Sequence, residues 1–153
     1  MSTGADATPA TVPATVPATV PASYSGPLPA VTNLNRPHWD ALREHRLVAP
    51  RCDGCAHVWL PPGPWCPWCW SRAFSWVELS GQGTITSWVR FHQQYYAAGP
   101  FQVPYAVVEV SLAEGPRLYG QLADAAEPVV GASVQVAYQD VSPDLTLVRF
   151  ATA

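Results

Sequence analysis

Four cysteines in two pairs constrain this chain more than any other feature of it. Cys52-Asp53-Gly54-Cys55 and Cys66-Pro67-Trp68-Cys69 stand ten residues apart and use every cysteine of the 153-residue sequence. Two cysteines separated by two residues place both sulfurs on one ion from a tight knuckle turn. Two knuckles at the ends of a short hairpin then complete a tetrahedral four-thiolate site. Val58-Trp59-Leu60 is expected to form the outgoing strand of that hairpin and Pro61-Pro62-Gly63-Pro64 its turnaround. Other chemistries use the same residue type. Disulfides belong mainly to exported proteins, and a redox CxxC is usually single and precedes a helix. Four thiolates also hold iron, which stays open beside zinc, although the short spacing favours a zinc ribbon. A four-thiolate site has no open coordination position, so its metal is expected to be structural.

The compartment bears on that argument. The first basic residue is Arg36, so the N-terminus lacks the charged head of a secretory signal, and it lacks the apolar core as well. No apolar run approaches the roughly 18 residues of a membrane span. The expected location is the cytoplasm, with no membrane role. The charge balance narrows the partners further. Eight Arg and no Lys stand against eleven acids, a net charge of -3. Nucleic acid and anionic lipid both select a positive surface, so neither is an expected partner. Charged residues are only 12% of the chain, against 48% hydrophobic and 11% aromatic.

The organisation reads as four segments. Residues 1–35 carry six Pro and three tandem TVPA repeats from Thr11 to Ala22, and are expected to be a disordered tail, because such a tract cannot bury enough apolar surface to offset its ordering entropy. Residues 36–50 hold a short helix opened by Pro37, with Trp39, Leu42 and Leu47 on one face, ended by Val48-Ala49-Pro50. Residues 51–73 are the ribbon. From Phe74 to the C-terminus the apolar period changes to two. Trp76 to Phe91 reads as one long strand broken by a glycine bulge at Gly81-Gln82-Gly83. Tyr105–Leu112, Arg117–Ala123, Ser133–Tyr138 and Leu145–Phe150 supply four more strands. The fold class is therefore mainly β: short helix, four-cysteine ribbon, and a five-stranded OB-fold barrel.

Trp59, Trp65, Trp68, Trp70 and Trp76 crowd around the cysteines. They serve either as a compensating core for a ribbon too small to bury much else or as an exposed surface for a partner. The barrel segment offers no Ser-His-Asp or Cys-His set. His92 is its sole histidine, and Glu78 and Glu109 have no evident acid–base partner. Independent catalysis is not expected.

The ordered set of Cys52, Cys55, Pro61, Pro62, Cys66, Pro67, Cys69, Trp76, Gly81, Gly83, Pro104-Tyr105-Ala106-Val107-Val108, Glu114-Gly115 and Gly131 resembles the acyl-CoA-associated family of rubredoxin-like zinc-ribbon plus OB-fold proteins. The resemblance covers about Arg36 to Phe150. It implies a non-catalytic subunit that partners a thiolase-superfamily enzyme (a thiolase, an acyltransferase or a steroid side-chain aldolase) in a hetero-oligomer and helps bind or channel acyl-CoA. Two departures stand out. The family often has Gly after the second cysteine of each knuckle, where this chain has Ala56 and Trp70, and often Arg after the Pro-Pro pair, where it has Gly63. Under this reading Trp39, Trp59, Trp65, Trp68 and Trp70 are candidate partner anchors. Tyr95, Tyr96 and Phe101 of the loop from Gln93 to Gln102 are candidates for the acyl-CoA channel wall, with Arg90 or Arg117 toward a CoA phosphate. Those loop aromatics equally serve a plain role as a barrel cap. The alternative function is a nucleic-acid-binding zinc-ribbon/OB-fold module.

Overall fold

The computed structural model describes residues 24, 26–95, 101–124 and 126–152. The TVPA repeats, Tyr96 and the Gly99-Pro100 turn lie outside the described residues. One helix and seven strands follow in the order α1 (Arg36–Arg43), β1 (Val48–Cys52), β2 (Phe74–Glu78), β3 (Gln82–Phe91), β4 (Tyr105–Leu112), β5 (Arg117–Leu122), β6 (Ser133–Ser142) and β7 (Leu145–Thr152). β3-β4-β5-β7-β6 close into the five-stranded barrel expected from the period-two pattern. β5 and β7 run parallel, in register only at Gln121↔Arg149 and Leu122↔Phe150. The other barrel pairings are antiparallel.

The helix is shorter than its apolar spacing implies. Pro37 opens it, and Arg43 sits in its last turn, where a cation suits the helix dipole. His45, at φ 55°, then reverses the chain, while the Glu44 and His45 amides donate to Ala41 and Leu42 carbonyls. This frees Leu47 to lead into β1 and Ala49 to lie within it, both fully buried, instead of forming a last helical turn. His45 Nε2 lies 3.1 Å from both carboxylate oxygens of Asp140, which also accepts from Thr146 Oγ1 at 2.6 Å. The helix end is thus tied to the β6–β7 hairpin.

The single long strand expected from Trp76 to Phe91 is in fact two strands in two sheets. β2 pairs with β1 from Val48↔Glu78 to Cys52↔Phe74, and β3 enters the barrel. The chain turns at Gly81, whose φ is 73° and where a Cβ would stand 2.8 Å from Gln135 Nε2 and 3.0 Å from Val136 Cβ. Only glycine fits both the backbone angle and the space. The bulge itself falls later, between Ile85 and Ser87. The strand expected at Val58-Trp59-Leu60 is reduced to a single bridge, Arg51↔Val58, because the Pro-Pro turnaround has no N–H to continue a ladder.

One core serves barrel and helix together. Ile85, Val108, Val110, Val136 and Phe150 line its barrel side, and Leu42, Leu47, Ala49 and Leu79 close it from the helix and the ribbon junction. Fully burying a side chain such as Phe150 contributes about 2–3 kcal/mol, so the helix is held by tertiary packing; eight residues would not stay helical alone. A second, smaller cluster of Cys52, Trp59 and Cys66, with Phe74 against it, belongs to the ribbon.

Candidate metal centre and the apolar cavities

The four cysteine sulfurs converge, all lying within 4.8 Å of one another. Cys52 Sγ is 3.5 Å from Cys69 Sγ, and Cys55 Sγ is 3.7 Å from Cys66 Sγ. A tetrahedral site with metal–sulfur bonds of about 2.3 Å has sulfur–sulfur edges of about 3.8 Å, so the spacing fits one ion. Each sulfur pair is presented by the same local device. The Ala56 amide donates to Cys52 O and the Trp70 amide to Cys66 O, each at 2.9 Å, closing two equivalent knuckles. Ala56 and Trp70 adopt φ 60° and 63°. The missing glycines therefore leave the knuckle geometry intact, at the cost of two side chains held in the left-handed region.

The electrostatics prepare these thiols for metal. Amide hydrogen bonds, from Cys55 first and Gly54 also, pull the Cys52 thiol down to about 7 against the opposing effect of desolvation. At Cys55 the His57 amide also pulls downward, but desolvation and the sulfurs of Cys69, Cys52 and Cys66 outweigh it and push the thiol up to about 12. Four thiols this close cannot all ionise unaided; a cation among them reverses that balance. The buried indole N–H of Trp59, packed in the same cluster as Cys52 and Cys66, has no hydrogen-bond partner among the described residues. The donor set thus fits a four-coordinate thiophilic ion, which would leave no position for water or substrate.

The candidate tryptophans divide. Trp59 is 5% exposed and packs edge-on against Phe74, so it is core. Trp39 is half-buried against the main core. Trp65, Trp68 and Trp70 are 42%, 76% and 71% exposed. Trp65 and Trp70 lie 6.4 Å apart, and His57 stacks between Trp59 and Trp68. The core reading therefore holds for Trp59, while Trp65, Trp68 and Trp70 stand in solvent.

The candidate loop and arginine residues are less united. Tyr95 is exposed, edge-on to Phe91, while Phe101 leans on Tyr105. Arg90 is ion-paired with Glu127 and lies 5.6 Å over the Trp88 ring. Arg117 lies 3.4 Å from Glu109, whose carboxyl is held below its usual range by hydrogen bonds from Tyr119 first and Thr86 next. Neither guanidinium is left without an acid. Two of the barrel's cavities are lined by candidate residues. One, of about 470 Å³, is lined by Arg90, Phe101, Tyr105, Gln121 and Pro128 among others. The other, of about 390 Å³, lies between α1 and the strands β4, β5 and β7. Phe101, Tyr105 and Gln121 line both. The second cavity includes His38, Phe91, Tyr119 and Arg149, which no motif or spacing groups together. No described helix is long and apolar enough to cross a membrane.

With this geometry in view, comparison with known proteins is decisive. Residues 39–75 match the ChsH2 rubredoxin-like zinc ribbon domain, and residues 76–139 match the ChsH2 C-terminal OB-fold domain. A solved chain of the Ltp2-ChsH2(DUF35) aldolase superposes with a TM-score of 0.72 at 35% identity, covering 82% of this chain and 98% of that one. This chain belongs to the ChsH2 zinc-ribbon/OB-fold family. A probable enoyl-CoA hydratase alpha subunit of Thermomonospora curvata is 36% identical over 129 residues, 83% of this chain but 40% of that protein. A DUF35 domain-containing scaffold protein of Methanocaldococcus jannaschii is 29% identical over 112 residues, 69% of this chain and 77% of that protein. The chain therefore spans about two-fifths of the first of these relatives.

Proposed function

We propose that this chain is a non-catalytic accessory subunit of an acyl-CoA-acting enzyme, that it docks on a thiolase-superfamily partner in the cytoplasm, and that it walls part of the acyl-CoA channel. The observation that supports this most is the match to almost the whole of one chain of the Ltp2-ChsH2(DUF35) aldolase. The relative named as a scaffold protein agrees with it. The chemistry agrees too. Among the described residues no hydroxyl or thiol is hydrogen-bonded to an imidazole. The Glu109 carboxylate is taken up by Tyr119 and Thr86, and the His45–Asp140 pair holds the helix to the barrel.

Cys52, Cys55, Cys66 and Cys69 would hold a zinc ion, the ion cross-linking the two knuckles and supplying no reaction step. The exposed faces of Trp65, Trp68 and Trp70 offer flat, rigid anchors of the kind that dominate binding energy at interfaces. The cavity beside Arg90 and Phe101 is the part of the barrel that would face the acyl-CoA. Co-expression with a thiolase-superfamily aldolase, followed by size exclusion, tests the docking claim: co-elution in fixed stoichiometry is expected. Separate elution, with partner activity unchanged when this chain is omitted, refutes it. Metal analysis of the purified chain should give about one zinc, and iron in its place would correct the metal alone.

A further inference from the structure

The cavity of about 390 Å³ between α1 and the β5–β7 seam has a composition that the docking role does not use. Its walls include Trp39 on α1, Phe91 stacked on Tyr105 at 4.9 Å, Val107, and Leu147. Arg149 lines it as well, at one of the two pairings that join β5 to β7. This arginine is the anomaly. Its Nε donates to Gln139 Oε1 at 2.8 Å and a terminal nitrogen donates to Gln121 Oε1. Both acceptors are neutral amides. Arg43, Arg46, Arg90 and Arg117 each lie beside a carboxylate; Arg36, Arg51 and Arg72 form no ion pair among the described residues but are exposed, which leaves Arg149 as the unpaired arginine that is partly buried. The phenol of Tyr24 acts on it electrostatically but is not a carboxylate. Burial also lowers the affinity of Arg149 for its proton. A partly buried cation without a counter-ion is costly to keep, and it stays charged regardless.

We infer that this cavity binds an apolar monocarboxylate, with its hydrocarbon body against Trp39, Phe91, Tyr105 and Val107 and its carboxylate on the unspent N–H donors of Arg149. A guanidinium has five donors in a planar fork; the two glutamines take two, and what remains matches a carboxylate edge. The cavity volume falls within the roughly 300–1,000 Å³ range of small-molecule sites. A dianionic phosphate would need a second cation. The other basic side chain on the lining is His38, which is buried, is bonded through Nδ1 to Val48 O at 2.8 Å, and is pushed toward its neutral form by desolvation. One positive charge selects one negative charge. The site stands apart from the accessory-subunit reading, because it involves neither CoA nor a partner, and it is tested on this chain alone.

The test is calorimetric titration of the full-length, zinc-loaded chain with decanoate, and in parallel with decan-1-ol, which has the same body without the anion. Decanoate should bind one per chain, at least tenfold more tightly than the alcohol. Arg149→Gln should lower decanoate affinity to that of the alcohol and leave the alcohol unchanged; Arg149→Lys, which keeps the charge and loses the fork, should fall between. Val107→Trp, which fills the cavity from β4, should abolish both. No decanoate binding overturns the inference, and so does equal affinity for acid and alcohol. Decanoate binding that survives Val107→Trp places the site elsewhere and also overturns it. The acid–alcohol comparison and the Val107 variant decide the matter even if the Arg149 variants fold poorly.

Discussion

Ala56→Gly should make this protein more stable. Ala56 closes the first knuckle with φ at 60°, its amide bonded to Cys52 O at 2.9 Å, and its side chain is exposed. A left-handed residue other than glycine costs roughly 1–2 kcal/mol through the clash of Cβ with the following carbonyl. Glycine removes that clash. It also enlarges the conformational freedom of the unfolded chain, which offsets about 0.4–1 kcal/mol. An exposed methyl contributes almost no burial, so nothing else is lost. The net expectation is a gain of about 0.5–1 kcal/mol, or a rise of about 2–5 °C in Tm for a folded unit of this size. Because metal affinity and folding are coupled in a small four-thiolate site, zinc retention against a chelator should improve about two- to fivefold. Differential scanning calorimetry of the zinc-loaded chain and a chelator competition measure the two effects. Trp70→Gly relieves the same strain at φ 63° but removes an indole that faces Trp65, so its gain should be smaller. A fall in Tm for Ala56→Gly, with zinc content unchanged, would refute the reasoning, since it would mean that the knuckle backbone is not strained.

Other expectations follow from single contacts. Cys66→Ser removes a sulfur that is fully buried, and should sharply reduce both bound zinc and the yield of folded protein, as read by metal analysis and circular dichroism. Trp68→Ala paired with Trp70→Ala should leave Tm within about 1 °C, because both rings are exposed, yet weaken the complex with a thiolase-superfamily partner by about thirtyfold or more; surface plasmon resonance measures it, and an unchanged affinity would move the interface off the ribbon. His38 is pushed below its ordinary value by burial, against the opposing hydrogen bond to Val48. The unfolded chain then binds the proton more readily than the folded one, so this contribution is complete above about pH 6.5 and is lost as pH falls below it, at up to ~1.4 kcal/mol per pH unit. The loss of Tm between pH 7.5 and 5.5 should be smaller in His38→Gln than in the unmodified chain, both zinc-loaded; equal losses would show that His38 does not titrate in this way.

What could be read in the sequence follows the range over which each signal acts. The metal centre was legible because its chemistry fixes residue type at fixed offsets, and the knuckle hydrogen bonds span only four residues, from Cys52 to Ala56 and from Cys66 to Trp70. The barrel was legible because alternation along β4 and β6 sets a buried face against an outer one. The division of β2 from β3 was not, since the alternation runs straight through Ser80 and Gln82; what separates them is the fit of Gly81 against Val136, fifty-five residues away. The resemblance offers Arg90 or Arg117 to a CoA phosphate, and what the sequence does not show is that the β5–β6 connection brings Glu127 to Arg90. Arg149 shows the converse. On the page it is one basic residue in a strand, with nothing to mark it. Its meaning arises only when β5 and β7 run parallel and leave it lining a cavity that α1 helps to wall, with amides on two sides and no ion pair among the described residues. Which arginines are neutralised and which are not is therefore a property of the closed barrel, set by contacts between strands far apart in the chain.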